Sequence, residues 1–317
     1  MHRMWTTLAA VVGLALAGLA LGGATAAPAQ AASHKDPYPV VFSGAAALAH
    51  AAAHPDTPPA GSNDWSCTPG AEHPRPVVLV HGTAENMTYN WAALSPLLAN
   101  EGYCVFALNY GQEDEPHVGL PGSARAGASA PVAGSARELD RFVDRVRTAT
   151  GTSKVDIVGH SQGGMMPRHY LKFLGGRDKV DKLVALSPSN HGTTVVGLAG
   201  LPGVTELLSA GLGRSVADQR AGSPFLTRLD EGGDTVPGVR YTVIQTRLDE
   251  IVTPYTSAYL DGPNVTNITL QRQCPVDLSD HLGISFDAVA LRDVLNALDP
   301  AHAVAPGCHP TLPVNGG

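Results

Sequence analysis

The sequence lacks the motifs that mark nucleotide, dinucleotide and structural zinc sites. It contains no Walker loop, no GxGxxG pattern, no HExxH pattern and no paired CxxC. Basic residues are also few, because 21 Lys and Arg stand against 28 Asp and Glu and give a net charge of −7. An acidic chain of this kind is not expected to bind nucleic acid. We therefore predict no nucleotide, no nucleic-acid partner and no cofactor, and the chemistry must come from side chains.

Charged residues are scarce throughout, at 15% of the chain, whereas hydrophobic residues reach 44%. This balance predicts a globular protein with one sizeable core and excludes disorder, collagen and coiled coil. The 35 glycines and 25 prolines among 317 residues indicate many loops. No set of metal ligands stands out, so no metal is predicted, and the sequence leaves open a calcium ion held by loop carboxylates.

Charge is absent from Trp5 to Ser33, and this stretch follows Arg3 and contains the small-residue triplet Ala29-Gln30-Ala31. The pattern predicts a secretory signal peptide at residues 1–31. A membrane anchor over 8–27 is the alternative, since that run could span a bilayer. Its Gly and Ala content and the small-residue cleavage site favour removal. No later apolar run is long enough to span, so we expect a secreted, extracellular protein with no membrane segment after processing.

Export also suits the four cysteines, because an even number in a secreted chain indicates disulfides. Three pairings are possible, and free buried thiols are a further alternative. We favour Cys67 with Cys104 and Cys274 with Cys308, since each pair flanks one compact set of elements.

The chain after the signal peptide divides into a predicted arm, residues 32–62, and a single catalytic domain, residues 63–317. Within the domain, short apolar runs alternate with amphipathic ones, which is typical of βαβ units and a mostly parallel sheet. The predicted strands are 77–80, 103–108, 154–158, 180–187, 241–245 and 265–270, and the clearest helices are 136–149, 165–174 and 288–298. Ser135 and Glu138 form a predicted capping box at the start of the first of these helices.

The strongest chemical signal is Gly159-His160-Ser161-Gln162-Gly163, a G-x-S-x-G pattern between a predicted strand and a predicted helix. This context is typical of a nucleophile elbow, a turn so sharp that the residues two positions from the serine must be small. The pattern therefore predicts Ser161 as a nucleophile, although an ordinary glycine-rich turn is the alternative.

A serine hydroxyl needs a base, and the base needs an acid to orient it. In this architecture the acid and then the base follow the serine along the chain. His281 lies between the last predicted strand and the last helix, and we predict it as the base over His302 and His309. We predict Asp249 as the acid, because it follows the strand 241–245, with Glu250 as the alternative.

The tetrahedral intermediate also needs donors for its oxyanion. We predict the backbone N–H groups of Gln162 and Thr83, with the Thr83 hydroxyl as a further donor. His81 is expected to shape the Thr83 loop through a hydrogen bond. The stretches 193–212 and 120–134 are candidates for an acyl channel or a flap over Ser161, and ordinary core packing is the alternative for the first.

Taken together, the motifs Pro76-Val-Val-Leu-Val-His-Gly-Thr83, Gly159-His-Ser-Gln-Gly163, Asp249-Glu-Ile-Val-Thr-Pro254 and Asp280-His281 resemble the secreted actinobacterial triacylglycerol lipases of the α/β-hydrolase superfamily. They are also similar to the Candida antarctica lipase B type, whose oxyanion threonine and following glutamine match Thr83 and Gln162. The resemblance weakens after Gly192. It implies an α/β-hydrolase fold with helices on both faces of the sheet and an extracellular lipase that needs no cofactor.

The predicted function is therefore a serine carboxylester hydrolase that acts through an acyl-enzyme, on lipid or other ester substrates that could lie at an oil–water interface. A short-chain esterase, a polyesterase and an acyltransferase with the same site are alternatives. A binding protein that has lost catalysis is a further alternative. We expect a monomer.

Overall fold

The computed structural model describes residues 36–114, 117–119, 127–195, 201 and 203–316, and residues 37–317 form one compact unit. The predicted signal peptide lies outside the described residues. In the described ranges, no helix is both long and apolar enough to cross a bilayer.

The centre of the unit is a six-stranded sheet whose neighbouring strands all pair in parallel. Its strands are β1 (Val77–Val80), β2 (Val105–Leu108), β3 (Val155–His160), β4 (Val180–Leu186), β5 (Arg240–Gln245) and β6 (Val265–Thr269). The order across the sheet is β2-β1-β3-β4-β5-β6. The predicted parallel sheet is confirmed, and β1 and β3 are neighbours inside it. Loops that follow these two strands therefore meet at one edge of the sheet.

The described helices precede, separate and follow the strands in the chain and supply both outer layers. They are α1 (Gly44–Ala53), α2 (Met87–Asn90), α3 (Leu94–Asn100), α4 (Val132–Thr150), α5 (Gln162–Phe173), α6 (Val204–Leu212), α7 (Ser215–Gln219), α8 (Pro224–Asp230), α9 (Leu270–Gln273) and α10 (Ala288–Leu298). One apolar cluster joins the sheet to α4, α5 and α8, and a second joins it to α1, α3 and α10. The alternating side chains of β1 serve both clusters, because Val78 and Val80 face one and Val77 and Leu79 face the other.

The start of α4 differs from the prediction. The helix begins at Val132, four residues before the predicted start, so Ser135 lies inside it and Pro131 occupies the cap position. Glu138 does not return to the helix start but accepts a hydrogen bond from the Gly111 N–H at 3.1 Å. The predicted capping box is therefore wrong, because a tertiary contact to the loop after β2 uses the glutamate.

The segment 32–62, predicted as an arm, contains a helix in its described part. Ser43 caps α1, and Ala47 and Ala51 are buried in the second apolar cluster. The Gly44 N–H donates to the Asn315 carbonyl oxygen at 3.2 Å. Residues 37–62 therefore pack onto the same unit as the rest, and the domain boundary at residue 63 stays a prediction.

The disulfides in the structure join Cys67 to Cys104 and Cys274 to Cys308, which is the favoured pairing. Their Cα atoms are 5.8 Å and 5.0 Å apart, within the usual range for disulfides. The first ties the segment before β1 to the start of β2, and the second ties the C-terminal segment to the residue after α9.

Candidate active site

Ser161 occupies the turn between β3 and α5. Strand β3 ends at His160 and α5 begins at Gln162, so Ser161 alone makes the reversal, with φ of 54° and ψ of −123°. A non-glycine residue in this region is strained, and such strain is held only where the surrounding structure enforces it.

The two glycines of the motif provide that enforcement. A Cβ on Gly159 would overlap the Gly163 carbonyl, and a Cβ on Gly163 would overlap the Val80 carbonyl oxygen at the end of β1. The backbones of β1, β3 and α5 thus approach more closely than any larger residue permits. This close packing is the physical reason for both glycines and for the position of the serine hydroxyl at the carboxyl ends of the strands.

The structure brings Ser161, His281 and Asp249 into one chain of hydrogen bonds. Ser161 Oγ lies 3.0 Å from His281 Nε2, and His281 Nδ1 lies 2.9 Å from Asp249 Oδ2. Asp249 follows β5 and His281 precedes α10, as the sequence predicts. These distances are those of a nucleophile, a base and an orienting acid.

Asp249 is held as a carboxylate by donors on both oxygens. Its Oδ1 accepts from the N–H groups of Ile251 and Val252, and its Oδ2 accepts from Gln245 Nε2 at 2.9 Å as well as facing the imidazole. Burial raises the pKa of Asp249, but His281 and these donors outweigh burial and leave its pKa below the ordinary value.

The pKa of His281 moves in the opposite direction. Burial lowers it, but the negative charge of Asp249, with smaller contributions from Glu85 and Glu250, outweighs burial and raises it above its ordinary value. Glu250 also accepts the His281 backbone N–H at 3.3 Å. Glu250, the alternative acid in the sequence, thus contacts the backbone of the base, whereas Asp249 contacts its ring.

A second buried pair, His160 and Glu85, contacts the backbone of His281. His160 Nε2 lies 2.9 Å from the His281 carbonyl oxygen, and His160 Nδ1 lies 3.0 Å from Glu85 Oε2. Glu85 Oε2 also accepts the Gly82 N–H at 2.9 Å. Sequence reasoning missed Glu85 because nothing near it in the chain indicates that it is buried; only the tertiary structure joins it to His160.

Thr83 and Gln162 lie together because β1 and β3 are neighbours. Thr83 Oγ1 donates to Gln162 Oε1 at 2.7 Å, and Gln162 is the first residue of α5, where helix N–H groups lack partners within the helix. The amide nitrogen of Gln219 joins both side chains, at 2.9 Å from Thr83 Oγ1 and 2.8 Å from Gln162 Oε1. Sequence reasoning missed Gln219 too, since no motif surrounds it.

His81 plays the predicted part in shaping the Thr83 loop. Its ring is fully buried and stacks on Tyr110 with centroids 4.6 Å apart, and Nδ1 lies 2.8 Å from the Gly82 carbonyl oxygen. Burial lowers the pKa of His81 to about 4, so it is neutral at physiological pH. The rival bases lie elsewhere: His302 is exposed and bonds to Asp299, and His309 is exposed.

An apolar cavity of about 440 Å³ opens above Ser161 and His281. Its size falls in the range of small-molecule sites. The apolar side chains that line it are Ala84, Val118, Val195, Leu208, Leu212, Val216, Ile251, Val252 and Leu282. Helix α6, in the predicted channel region 193–212, supplies Leu208 and Leu212 and has no buried residue, which agrees with a channel wall and not with core packing. Of the second predicted flap, residues 120–126 lie outside the described part.

One group of side chains has the composition of a metal site. His191, Asp230 and Asp234 lie close together and are half-buried. Arg168 Nη2 already bonds both carboxylates, at 2.9 Å and 3.3 Å, and the two aspartates raise the pKa of His191 to about 9. With His191 protonated, two positive charges balance two negative ones without an added ion.

Comparison with known proteins matches residues 74–291 to the family model described as Lipase (class 2). The chain is 34% identical over 140 residues to lipase B of Pseudozyma antarctica, which covers 42% of this chain and 39% of that protein. It is 30% identical over 102 residues to a triacylglycerol lipase of Pseudarthrobacter phenanthrenivorans, covering 30% of this chain and 27% of the relative. The chain thus spans about two fifths or less of these curated relatives.

Among solved structures, the fold is similar to Aspergillus fumigatus lipase B, with a TM-score of 0.59 and 24% identity over 79% of this chain and 56% of that one. This likeness confirms the predicted α/β-hydrolase fold. The matched range 74–291 runs from the residues just before β1 to the first turn of α10 and so contains the whole serine, histidine and aspartate arrangement. The predicted resemblance is confirmed: the chain belongs to the class 2 lipase family.

Proposed function

We propose that the protein is a serine carboxylester hydrolase of the triacylglycerol lipase type, with Ser161, His281 and Asp249 as its triad. One observation carries the proposal. Ser161 Oγ lies within hydrogen-bond reach of a buried histidine that an aspartate orients, at the floor of an apolar cavity. This arrangement suits acyl transfer to a serine, and the apolar walls suit the acyl chain of a lipid ester.

His281 Nε2 takes the proton of Ser161 Oγ as the oxygen attacks the ester carbonyl carbon. The carbonyl oxygen becomes an oxyanion, which the N–H groups of Thr83 and Gln162 and the Thr83 hydroxyl stabilise. His281 then gives its proton to the departing alcohol, which leaves an acyl-enzyme on Ser161. A water molecule repeats the sequence and releases the acid, and Asp249 holds the histidine in the productive tautomer.

The substrate class follows from the cavity. Most of its surface is apolar, although polar and charged side chains such as Thr83, Arg220 and Glu250 also line it, and an ester carbonyl would lie next to Ser161. The name of one relative, triacylglycerol lipase, supports esters of glycerol. We propose medium-chain and long-chain acyl esters as substrates.

Secretion is part of the proposal. The uncharged start of the chain and the two disulfides support export to an oxidising compartment, where disulfides persist. Removal of residues 1–31 is tested by N-terminal sequencing of protein recovered from the culture medium. A sequence that begins within the first 31 residues would contradict this cleavage site.

The activity is tested with p-nitrophenyl esters of two to sixteen carbons and with emulsified triacylglycerol, for the wild type and Ser161→Ala. We expect the wild type to prefer longer chains and the variant to lose activity by about 10⁴-fold or more, because the nucleophile is gone. A fluorophosphonate should label the wild type alone.

Each of the other outcomes would indicate a different function for the protein. A preference for short soluble esters would indicate an esterase, and transfer to an added alcohol in preference to water would indicate an acyltransferase. Activity that survives in Ser161→Ala would overturn the triad, and a wild type that is neither active nor labelled would be a binding protein.

A further inference from the structure

The side chain of Gln219 lies beside the proposed oxyanion donors, although nothing in the chain around it predicts this. It is the last residue of α7 and is buried. Its Nε2 donates to Thr83 Oγ1 at 2.9 Å and to Gln162 Oε1 at 2.8 Å. Thr83, Gln162 and Gln219 thus form a closed ring of hydrogen bonds next to the nucleophile.

The orientation of the Gln219 amide is determined by its surroundings. Nε2 faces the Ser215 carbonyl oxygen at 3.4 Å, and a carbonyl can only accept, so the nitrogen must lie on this side. On the other side, Ser189 Oγ donates to Gln219 Oε1 at 2.9 Å. Gln219 therefore presents N–H donors, and not an acceptor, to the threonine hydroxyl.

The ring determines which acceptor receives the hydrogen bond from the Thr83 hydroxyl. With Thr83 Oγ1 accepting from Gln219, its own proton is donated to Gln162 Oε1 at 2.7 Å. If that proton turns to an oxyanion, Gln162 Oε1 still accepts from Gln219, and Thr83 Oγ1 is still anchored by Gln219. Neither Gln162 Oε1 nor Thr83 Oγ1 is then left without a partner, so the cost of losing the hydrogen bond between them is reduced.

Helix α7 holds Gln219 in place through contacts on several sides. The Ser215 N–H donates to the Ser129 carbonyl at 2.9 Å, Asp218 accepts the Val132 N–H at 2.9 Å, and the Gln219 carbonyl accepts the Thr193 N–H at 3.0 Å. The amide is therefore pre-positioned, which is the condition for an effect on a transition state.

We propose that Gln219 is a positioning residue that frees the Thr83 hydroxyl proton for the oxyanion. This inference rests on the proposed function, since it requires Thr83 to face the oxyanion. Gln219 acts through Thr83 and does not itself need to touch the substrate. The effect is expected in the transition state and not in ground-state binding, because only the transition state carries the oxyanion.

The test is a double-mutant cycle with a soluble ester, p-nitrophenyl butyrate. The variants are Gln219→Met, which keeps the approximate volume without the amide, Thr83→Val, which keeps the shape without the hydroxyl, and their combination. We expect Gln219→Met to lower kcat and kcat/KM equally, by about tenfold, with KM changed less than about twofold. In the Thr83→Val background the same substitution should change kcat by less than about twofold.

Thr83→Ser provides the matched control, because it restores the hydroxyl on a smaller side chain. Gln219→Met should again cost about tenfold in this background. Gln219→Glu keeps the acceptor for Ser189 and replaces the donor by a charged acceptor, so it should lower kcat further than Gln219→Met. Thermal unfolding of each variant shows that it is folded, and Gln219→Glu provides a second reading if Gln219→Met fails to fold.

A trifluoromethyl ketone inhibitor provides a second measurement. Ser161 Oγ adds to its carbonyl carbon, and the carbonyl oxygen becomes an oxyanion, so its binding reports on oxyanion stabilisation and not on packing alone. Its inhibition constant should weaken by the same factor as kcat/KM in Gln219→Met. An equal loss of kcat with and without the Thr83 hydroxyl, or a change confined to KM, would overturn the inference while leaving the proposed function intact. If Thr83→Val alone retained wild-type kcat, the predicted oxyanion role of Thr83 would fail, whereas active Ser161→Ala would refute the triad itself.

Discussion

The sheet edge and helix α6 both face the same cavity but are built differently. Around Ser161, backbones meet without space for a Cβ at Gly159 or Gly163, and Ser161, Gln162 and His281 are buried. Helix α6 reaches the cavity through Leu208 and Leu212, yet none of its residues is buried. The groups that would react are thus placed by a close-packed core, whereas one wall that would bind the acyl chain lies on a loosely packed helix.

Because of this difference, we expect substitutions at the sheet edge to change the reaction rate and substitutions on α6 to change the acyl-chain selectivity. A change at the sheet edge should lower the rate for every ester or unfold the protein, because packing and geometry there are coupled. A change on α6 should alter which acyl chain is preferred at little cost in stability.

The largest effect is expected for Asp249→Asn. The asparagine keeps the size of the side chain but removes the charge that holds His281 in the productive tautomer, so kcat should fall by about 10⁴-fold for all chain lengths. The loss is measured by steady-state kinetics across the ester series.

The neighbouring Glu250→Gln is the matched control, because Glu250 contacts only the backbone N–H of His281. It should cost less than about tenfold. A larger loss in Glu250→Gln than in Asp249→Asn would show that the two acidic residues have the opposite roles.

Gly163→Ala should unfold or strongly destabilise the protein. The added methyl group would overlap the Val80 and His81 carbonyl oxygens, which belong to a buried strand and cannot move freely. We expect a loss of about 3 kcal/mol or more in the free energy of unfolding, measured by urea denaturation.

Gly134→Ala is the control for this glycine substitution. Gly134 lies inside α4, where only the Arg137 side chain would approach an added methyl group, so alanine should stabilise the helix by about 0.5–1 kcal/mol. Equal effects of the two substitutions would contradict the close packing at the elbow.

The region behind His281 should lose stability as pH rises. Burial, followed by the neighbouring Asp277 carboxylate, raises the pKa of Asp287 to about 7 in the folded protein. The pKa of Asp287 is higher in the folded protein than in the unfolded chain. The stabilisation that protonated Asp287 gives to the folded state is therefore complete below about pH 4, and it is lost as pH rises through about 7. We expect a decrease of about 2–4 kcal/mol in the free energy of unfolding across this window.

Asp277→Asn removes the neighbouring negative charge and should flatten that dependence, as measured by urea denaturation at several pH values. Asp178→Asn, at an exposed aspartate, is the control and should leave the profile unchanged. The same pH dependence of the free energy of unfolding in all three proteins would refute the contribution of Asp277 to the raised pKa of Asp287.

The smallest effects are expected on α6, where two adjacent leucines form a matched pair. Leu208 lines the cavity, whereas Leu207 does not line it and is 73% exposed. Leu208→Ser should lower kcat/KM for long-chain esters relative to short-chain ones by about tenfold, and Leu207→Ser should leave this ratio unchanged on soluble esters.

Both leucine variants should change the free energy of unfolding by less than about 1 kcal/mol, because neither side chain is buried. A large loss of stability in Leu208→Ser, without a change in chain-length preference, would show that α6 is structural and not a wall of the site.

Much of the fold could be predicted from local patterns, because each depends on a few neighbouring residues. The parallel sheet follows from alternating apolar runs, and α10 from an apolar face that the structure buries. The first turn of α4 and the packing of α1 could not be predicted. Both depend on contacts between residues far apart in the chain, such as Glu138 with Gly111 and Gly44 with Asn315.

The candidate site shows the same division. Ser161, His281 and Asp249 could be predicted from the sequence, because a strand, a turn and their order in the chain indicate them. Glu85 and Gln219 could not be predicted, since they contact the site only because separate segments of the chain meet there. What a buried carboxylate or amide does depends on the atoms that it contacts, and the residues next to it in the sequence do not indicate those contacts.

From the sequence alone follow the elbow, the chain order of the proposed triad, the cysteines available for pairing and the α/β class, because local sterics and periodicity leave few alternatives. The tertiary structure alone decided which oxygen faces which nitrogen, how the Thr83 proton is held and which leucine of α6 faces the cavity. The physical reason is that strand order and helix packing bring these groups within about 3 Å of each other, and hydrogen-bond energies depend on that final distance and angle.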